Sequence, residues 1–165
     1  MRWKVLDNGP LRTTFRLEYD AWEVKGMKVS AAKTVSLDAG SQLSRMEATY
    51  SYDQTEPLPL VVGIIRRKDP GKMLLDEQQG LMGYWEPEIA KDGITGVGTI
   101  LLTPALKMNL TNEQLLMHTI SNDQQKLVYY TGAAWNKAGV YTNAADWFAY
   151  LQRFKEKISQ PLTIE

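Results

Sequence analysis

Cysteine is absent from all 165 residues, which excludes disulfides, thiolate metal sites and cysteine nucleophiles together. His118 is the single histidine. One chain therefore cannot assemble a multi-histidine metal centre, and any imidazole-based triad must use that residue. No calcium-loop spacing is visible, and neither a metal nor a cofactor is expected. Net charge is missing too: 19 Lys and Arg balance 19 Asp and Glu, so no broad field draws in nucleic acid. No apolar run reaches the length of about 20 residues that crosses a bilayer, and MRWKVLDNGPLR lacks the apolar core of a signal peptide. Neither nucleic acid nor membrane is expected as a partner, and the chain reads as soluble with no export signal of its own.

What is present is the balance of a globular domain, 44% hydrophobic and 23% charged, and one domain over residues 1–165 is expected. LRTTFRLEYD alternates strictly: Leu11, Thr13, Phe15, Leu17 and Tyr19 oppose Arg12, Thr14, Arg16, Glu18 and Asp20, as in a half-buried strand with a solvent-facing charged side. The apolar phase then changes at Trp22 and Val24, which requires a bulge near Asp20 and Ala21. Asn8-Gly9-Pro10 marks a turn before it. Strands also follow at MKVSAAKTVSL, LSRMEATYSY, GLMGYWEPE, ITGVGTILLT, EQLLMHTIS and KLVYYTGA. Residues 58 to 65, LPLVVGII, are apolar on both faces, as in the middle of a covered sheet. Short strands at this spacing predict a mainly β, antiparallel β-sandwich. One amphipathic helix is expected near residues 143–158, where Trp147, Phe148, Leu151, Phe154 and Ile158 recur at helical spacing after a cap at Thr142 or Asn143. Pro161 ends it, and LTIE can add a short strand.

Three groups of residues carry candidate chemistry. If EQLLMHTIS and KLVYY form a hairpin, His118 lies opposite Tyr129, or Tyr130 one register away, and an imidazole beside a phenol suits acid-base work. The structural alternative is a satisfied histidine in a packed sheet. Tyr84, Trp85 and Trp135 sit beside Gly and Pro at strand ends with Glu86, Asn136 and Lys137 near them, the mixed lining of a small-molecule site in which rings pack on a sugar face and polar groups hold its hydroxyls. The alternative is that these rings close the core. Arg66 and Arg67 point to opposite sides of their strand, so one of them can pair a carboxylate, or simply an acidic neighbour such as Glu86 or Glu88.

The phrases GPLRTTFRLEYDAW, KTVSLDAGSQLSRME, PLVVGII, GYWEPE and YYTGAAWNKAGVYTNAADWFAYL resemble a bacterial family known as domain of unknown function 4861, over nearly the whole chain. The resemblance implies a galactose-mutarotase-like β-sandwich in the setting of polysaccharide utilisation. It also implies that this chain corresponds to the carboxyl-terminal part of a larger family domain, that the family is exported to the periplasm, and that some of its members act on uronic-acid-containing oligosaccharides by elimination of water. Under that reading the protein is a carbohydrate lyase or dehydratase for acidic oligosaccharides. Arg66 or Arg67 neutralises the carboxylate, His118 is the base, and Tyr129 or Tyr130 is the acid. The other reading is a noncatalytic glycan-binding or structural sandwich. An incomplete sandwich exposes strand edges and apolar surface, so a homo-oligomer or association with a missing amino-terminal segment is expected.

Overall fold

A computed structural model describes residues 1–88, 90–122 and 124–160. The strands are β1 (Arg2–Asn8), β2 (Arg12–Val24), β3 (Met27–Asp38), β4 (Leu43–Ser51), β5 (Pro59–Ile65), β6 (Lys72–Asp76), β7 (Leu81–Trp85), β8 (Thr95–Leu101), β9 (Lys107–Leu110), β10 (Gln114–Ile120) and β11 (Lys126–Trp135). One helix, α1 (Ala144–Ser159), follows. Eight strands form a large antiparallel sheet in the order β1-β2-β3-β4-β11-β8-β7-β6, and three form a small one, β5-β10-β9. The expected β-sandwich with one carboxyl-terminal helix is the observed architecture.

The large sheet is covered on both faces, but only over part of its width. On one face the small sheet supplies Ile64, Leu115 and Met117 against Ala48, Met82, Tyr84, Leu101 and Leu127. On the other face α1 packs Trp147 and Leu151 against Leu43, Leu81, Trp85, Ile100 and Ala134. Gly83 and Gly98 are register partners and open a trough for the helix, because a Cβ on Gly98 would lie 2.4 Å from Leu151 Cδ2. Asn143 caps α1 by accepting a hydrogen bond from the Asp146 amide, 3.0 Å, as its position before the apolar stripe predicts. Beyond the small sheet, β1 and β2 present Trp3, Val5, Phe15, Leu17 and Tyr19 on one face, with Trp3 71% exposed. Their other face is polar, with Arg2, Lys4, Thr14, Arg16 and Glu18.

Two expectations are corrected. β5 is an edge strand of the small sheet, with Val61 and Ile65 exposed and Ile64 buried. The strand buried on both faces is β7, all five of whose residues are buried. β10 and β11 do not form a hairpin: β10 pairs with β5 and β9, whereas β11 pairs with β4 and β8. The expected bulge in β2 is observed, as a register shift between Tyr19 and Trp22. Strands β1, β6 and β9 have no counterpart among the strands expected from sequence. The Pro161 stop and the LTIE strand lie outside the described residues.

Candidate functional site

The sandwich crossing between β10 and β11 separates the expected acid-base pair. His118 sits on the outer face of the small sheet, level with Val61 and Lys107, with Nε2 3.3 Å from Asn109 Nδ2. Tyr129 packs into the core between the two sheets, where burial raises its pKa above the ordinary phenol value. Tyr130, next along the strand, faces the opposite side and meets Phe154 of α1 edge-on at 5.0 Å. The three side chains share no cavity. Tyr84 and Trp85 are likewise core residues rather than a ligand platform. Tyr84 is 0% and Trp85 5% exposed, and as strand neighbours they point to opposite faces of β7.

The arginines diverge as alternation predicts. Arg66 turns toward the β9–β10 turn and donates from Nη1 to the Thr111 carbonyl oxygen, and its Nε is buried without a partner among the described residues. Arg67 goes the other way. Its backbone amide donates to the Tyr84 hydroxyl, 3.2 Å, and its Nε donates to Glu86 Oε1 at 2.8 Å. Glu86 is only 16% exposed at its side chain, so the guanidinium is steered by a fixed carboxylate.

A hollow of about 300 Å³ opens beside this pair, lined by Arg67, Glu86, Pro87, Asp92, Gly93, Thr95 and Trp135. Three of the residues expected from sequence, Arg67, Glu86 and Trp135, therefore converge. Trp135 ends β11 as a residue 49% exposed, and its Nε1 donates to the Asp92 carbonyl oxygen at 3.0 Å, so the indole is held in one orientation.

Asn136 and Lys137 have a different task from the one expected. The Asn136 side chain accepts from the Ile94 amide at 2.8 Å, the Asn136 backbone amide donates to the Ile94 carbonyl oxygen at 3.0 Å, and Lys137 Nζ donates to the Lys91 carbonyl oxygen. Together with the Trp135 bond these latch residues 91–94 against the end of β11. Gly93 fits beneath the latch only as glycine: its φ is +94°, and a Cβ would lie 2.6 Å from both Asn136 Oδ1 and Trp135 Nε1. Pro87, Asp92 and Thr95 escape sequence reasoning because they reach the hollow through the pairing of Thr95 with Trp135, which no local pattern announces.

A larger hollow, about 520 Å³, lies elsewhere, around the β2 bulge, and holds none of the expected residues. Its charges are already matched, Glu18 by Arg2 and Arg16, and Asp20 by the terminal amine.

Residues 1–164 match the family model described as Domain of unknown function (DUF4861). The chain belongs to that family. This DUF4861 chain is 31% identical over 170 residues to the uncharacterised protein P7 of Formosa agariphila, an alignment covering 98% of this chain and 41% of that protein. The DUF4861 chain thus spans about two-fifths of the length of the curated relative it matches. Among solved structures it is similar to a protein described as a kojibiose phosphorylase from the human microbiome, with a TM-score of 0.57 and 10% identity over 91% of this chain and 21% of that one. That likeness is one of fold, and it agrees with the galactose-mutarotase-like sandwich that the sequence phrases imply.

Proposed function

We propose that this chain is a glycan-binding β-sandwich module, with Trp135 as the stacking platform of the hollow beside Arg67 and Glu86. The observation that carries the reading is an exposed indole whose orientation is fixed by its own N–H bond, bordered by polar groups that can hold hydroxyls. A rigid aromatic face packs on the C–H face of a sugar at little entropic cost, and neighbouring carboxylate, guanidinium and hydroxyl groups supply direction. Glu86 and Asp92 outnumber Arg67 around the hollow, so the sugar unit suited to it is neutral. The dispersal of His118, Tyr129 and Tyr130 over three separate faces weighs against elimination chemistry carried by these residues. It favours binding over turnover for this chain.

The test is titration with neutral gluco- and galacto-oligosaccharides, followed by tryptophan fluorescence and calorimetry. Trp135→Ala is expected to weaken binding at least about tenfold, the loss typical of an aromatic anchor, while Trp135→Phe keeps part of it and His118→Ala is neutral. Unchanged affinity in Trp135→Ala, or no binding of any neutral glycan by the parent chain, overturns the proposal.

A further inference from the structure

The small sheet roofs only part of the large one, three strands over eight, and it is set to one side. Its β9 lies toward β6, where the Met108 amide donates to Glu77 Oε2 at 2.7 Å. β5 is therefore the roof edge that faces β4, whose Ala48 and Tyr50 still belong to the covered core. Beyond that edge β1, β2 and β3 continue the same face, with Trp3 71%, Val5 49% and Leu37 44% exposed. Three strands about 4.8 Å apart and about 23 Å long make a patch of about 350 Å² in plan, the size at which an apolar surface marks an interaction site.

Register orders the patch into rows. Trp3, Leu17 and Lys33 lie side by side across β1, β2 and β3, and Val5, Phe15 and Val35 form the next row. Lys33 carries the one charge in these two rows, and its Nζ stands 5.4 Å from the centroid of the Tyr19 ring. Reversing the first row over a copy of itself sets an indole over an ammonium at each end and leucine on leucine in the middle. Reversing the second sets valine on valine at each end and phenylalanine on phenylalanine between them. An ammonium over an indole face is attractive, and more so once water is excluded. The face is thus complementary to itself in both shape and charge.

We propose that this face of β1 to β3 is the interface of a homodimer, in which two copies stack these strands about a two-fold axis parallel to β2. Stacking at about 10 Å about that axis reverses each row over itself, so each Trp3 meets Lys33 of the partner subunit. The same axis suits the roof. The partner's large sheet then lies level with the small sheet and runs away from β5, whereas an axis across the strands would drive it into β5. Each uncovered face is roofed by the other. A lipid surface is the competing occupant, but it would need no such pairing of rows. The inference uses neither Trp135 nor its hollow and stands apart from the glycan reading.

The experiment is sedimentation velocity of the whole chain from about 1 µM to about 1 mM. A patch of this size lies at the low end for a stable dimer, so half of the chain is expected to be dimeric by about 100 µM. Trp3→Ala and Lys33→Glu are each expected to weaken the dimer at least about tenfold, because symmetry counts each loss twice. Lys33→Arg, which keeps a cation for the ring, is expected to retain most of the affinity, and Lys4→Ala, on the polar face of β1, all of it. Trp3→Lys is expected to abolish association, and Trp3→Lys combined with Lys33→Glu to recover it. Leu17 separates those two positions within one copy, so the recovery reads contact between copies. If Lys33→Glu unfolds the chain, Trp3→Ala at its exposed site decides. A monomer at every concentration, full association in Trp3→Ala, equal losses in Lys4→Ala and Trp3→Ala, or a monomer that binds phosphatidylcholine vesicles through Trp3 overturns the inference.

Discussion

Gly98→Ala measures how closely α1 is seated on the sheet. The added methyl would lie 2.4 Å from Leu151 Cδ2, 2.8 Å from Cδ1 and 3.2 Å from Cγ, against an optimum of about 3.5–4.0 Å between carbons. Leu151 is fully buried and hemmed in by the core beneath the helix, so it cannot swing into solvent, and α1 must lift. Overpacking of this kind costs about 1–3 kcal/mol, offset by about 0.5–1 kcal/mol from removing a glycine inside a strand. At about 2–4 °C per kcal/mol for a chain of this size, the net loss of about 0.5–2 kcal/mol lowers Tm by about 1–8 °C. The decisive comparison is a double-mutant cycle by thermal unfolding. Leu151→Ala alone costs about 2–5 kcal/mol through its cavity, but it removes the atoms that the added methyl would strike, so Gly98→Ala in that background is expected to be neutral or stabilising. A Tm for Gly98→Ala at or above that of the parent, or the same penalty in both backgrounds, refutes the trough.

Other outcomes follow from single contacts. Asn143→Ala removes the side-chain cap of α1 and is expected to cost about 1 kcal/mol in chemical denaturation, with fraying confined to the first helical turn. Asn136→Ala releases the Ile94 amide and is expected to cost about 1–2 kcal/mol, with faster hydrogen exchange at residues 91–94 and unchanged exchange in the core of β7. Tyr50 sits half-buried against the inter-sheet core, and burial, reinforced by the neighbouring Tyr129, pushes its pKa from 10.0 up to about 12. The folded chain therefore keeps a proton that the unfolded chain releases first. This contribution is whole below pH 10 and is lost as the pH rises toward 12. Denaturant midpoints measured across that window should fall less steeply in Tyr50→Phe.

Alternation, phase and end signals are legible in the sequence where a single element determines them. The switch from Tyr19 to Trp22 marks the bulge in β2, and the spacing from Trp147 to Ile158 marks α1 with its Asn143 cap. Neighbour relations are not legible. Leu115 and Met117 on β10, and Leu127 and Tyr129 on β11, face one shared core, so a hairpin and a crossing between sheets produce the same apolar pattern. That degeneracy is why sequence reasoning sets His118 beside the tyrosines. β1 escapes notice because its seven residues are all exposed and half of the strand signal is burial. Of the candidate site, the Arg67–Glu86 pair and Trp135 are readable as residue types. Their convergence is not, since it depends on which strand ends the sheet order brings side by side.

The order of strands along the chain has a consequence for how the molecule assembles. β5 finds its partner only in β10, about fifty residues later, and closing so wide a loop is slow. β9 and β10 are themselves an excursion between two strands of the large sheet. A meander from β1 to β4 can therefore gather early, while the roof over Tyr84 and Met82 must wait until residue 120 has been made.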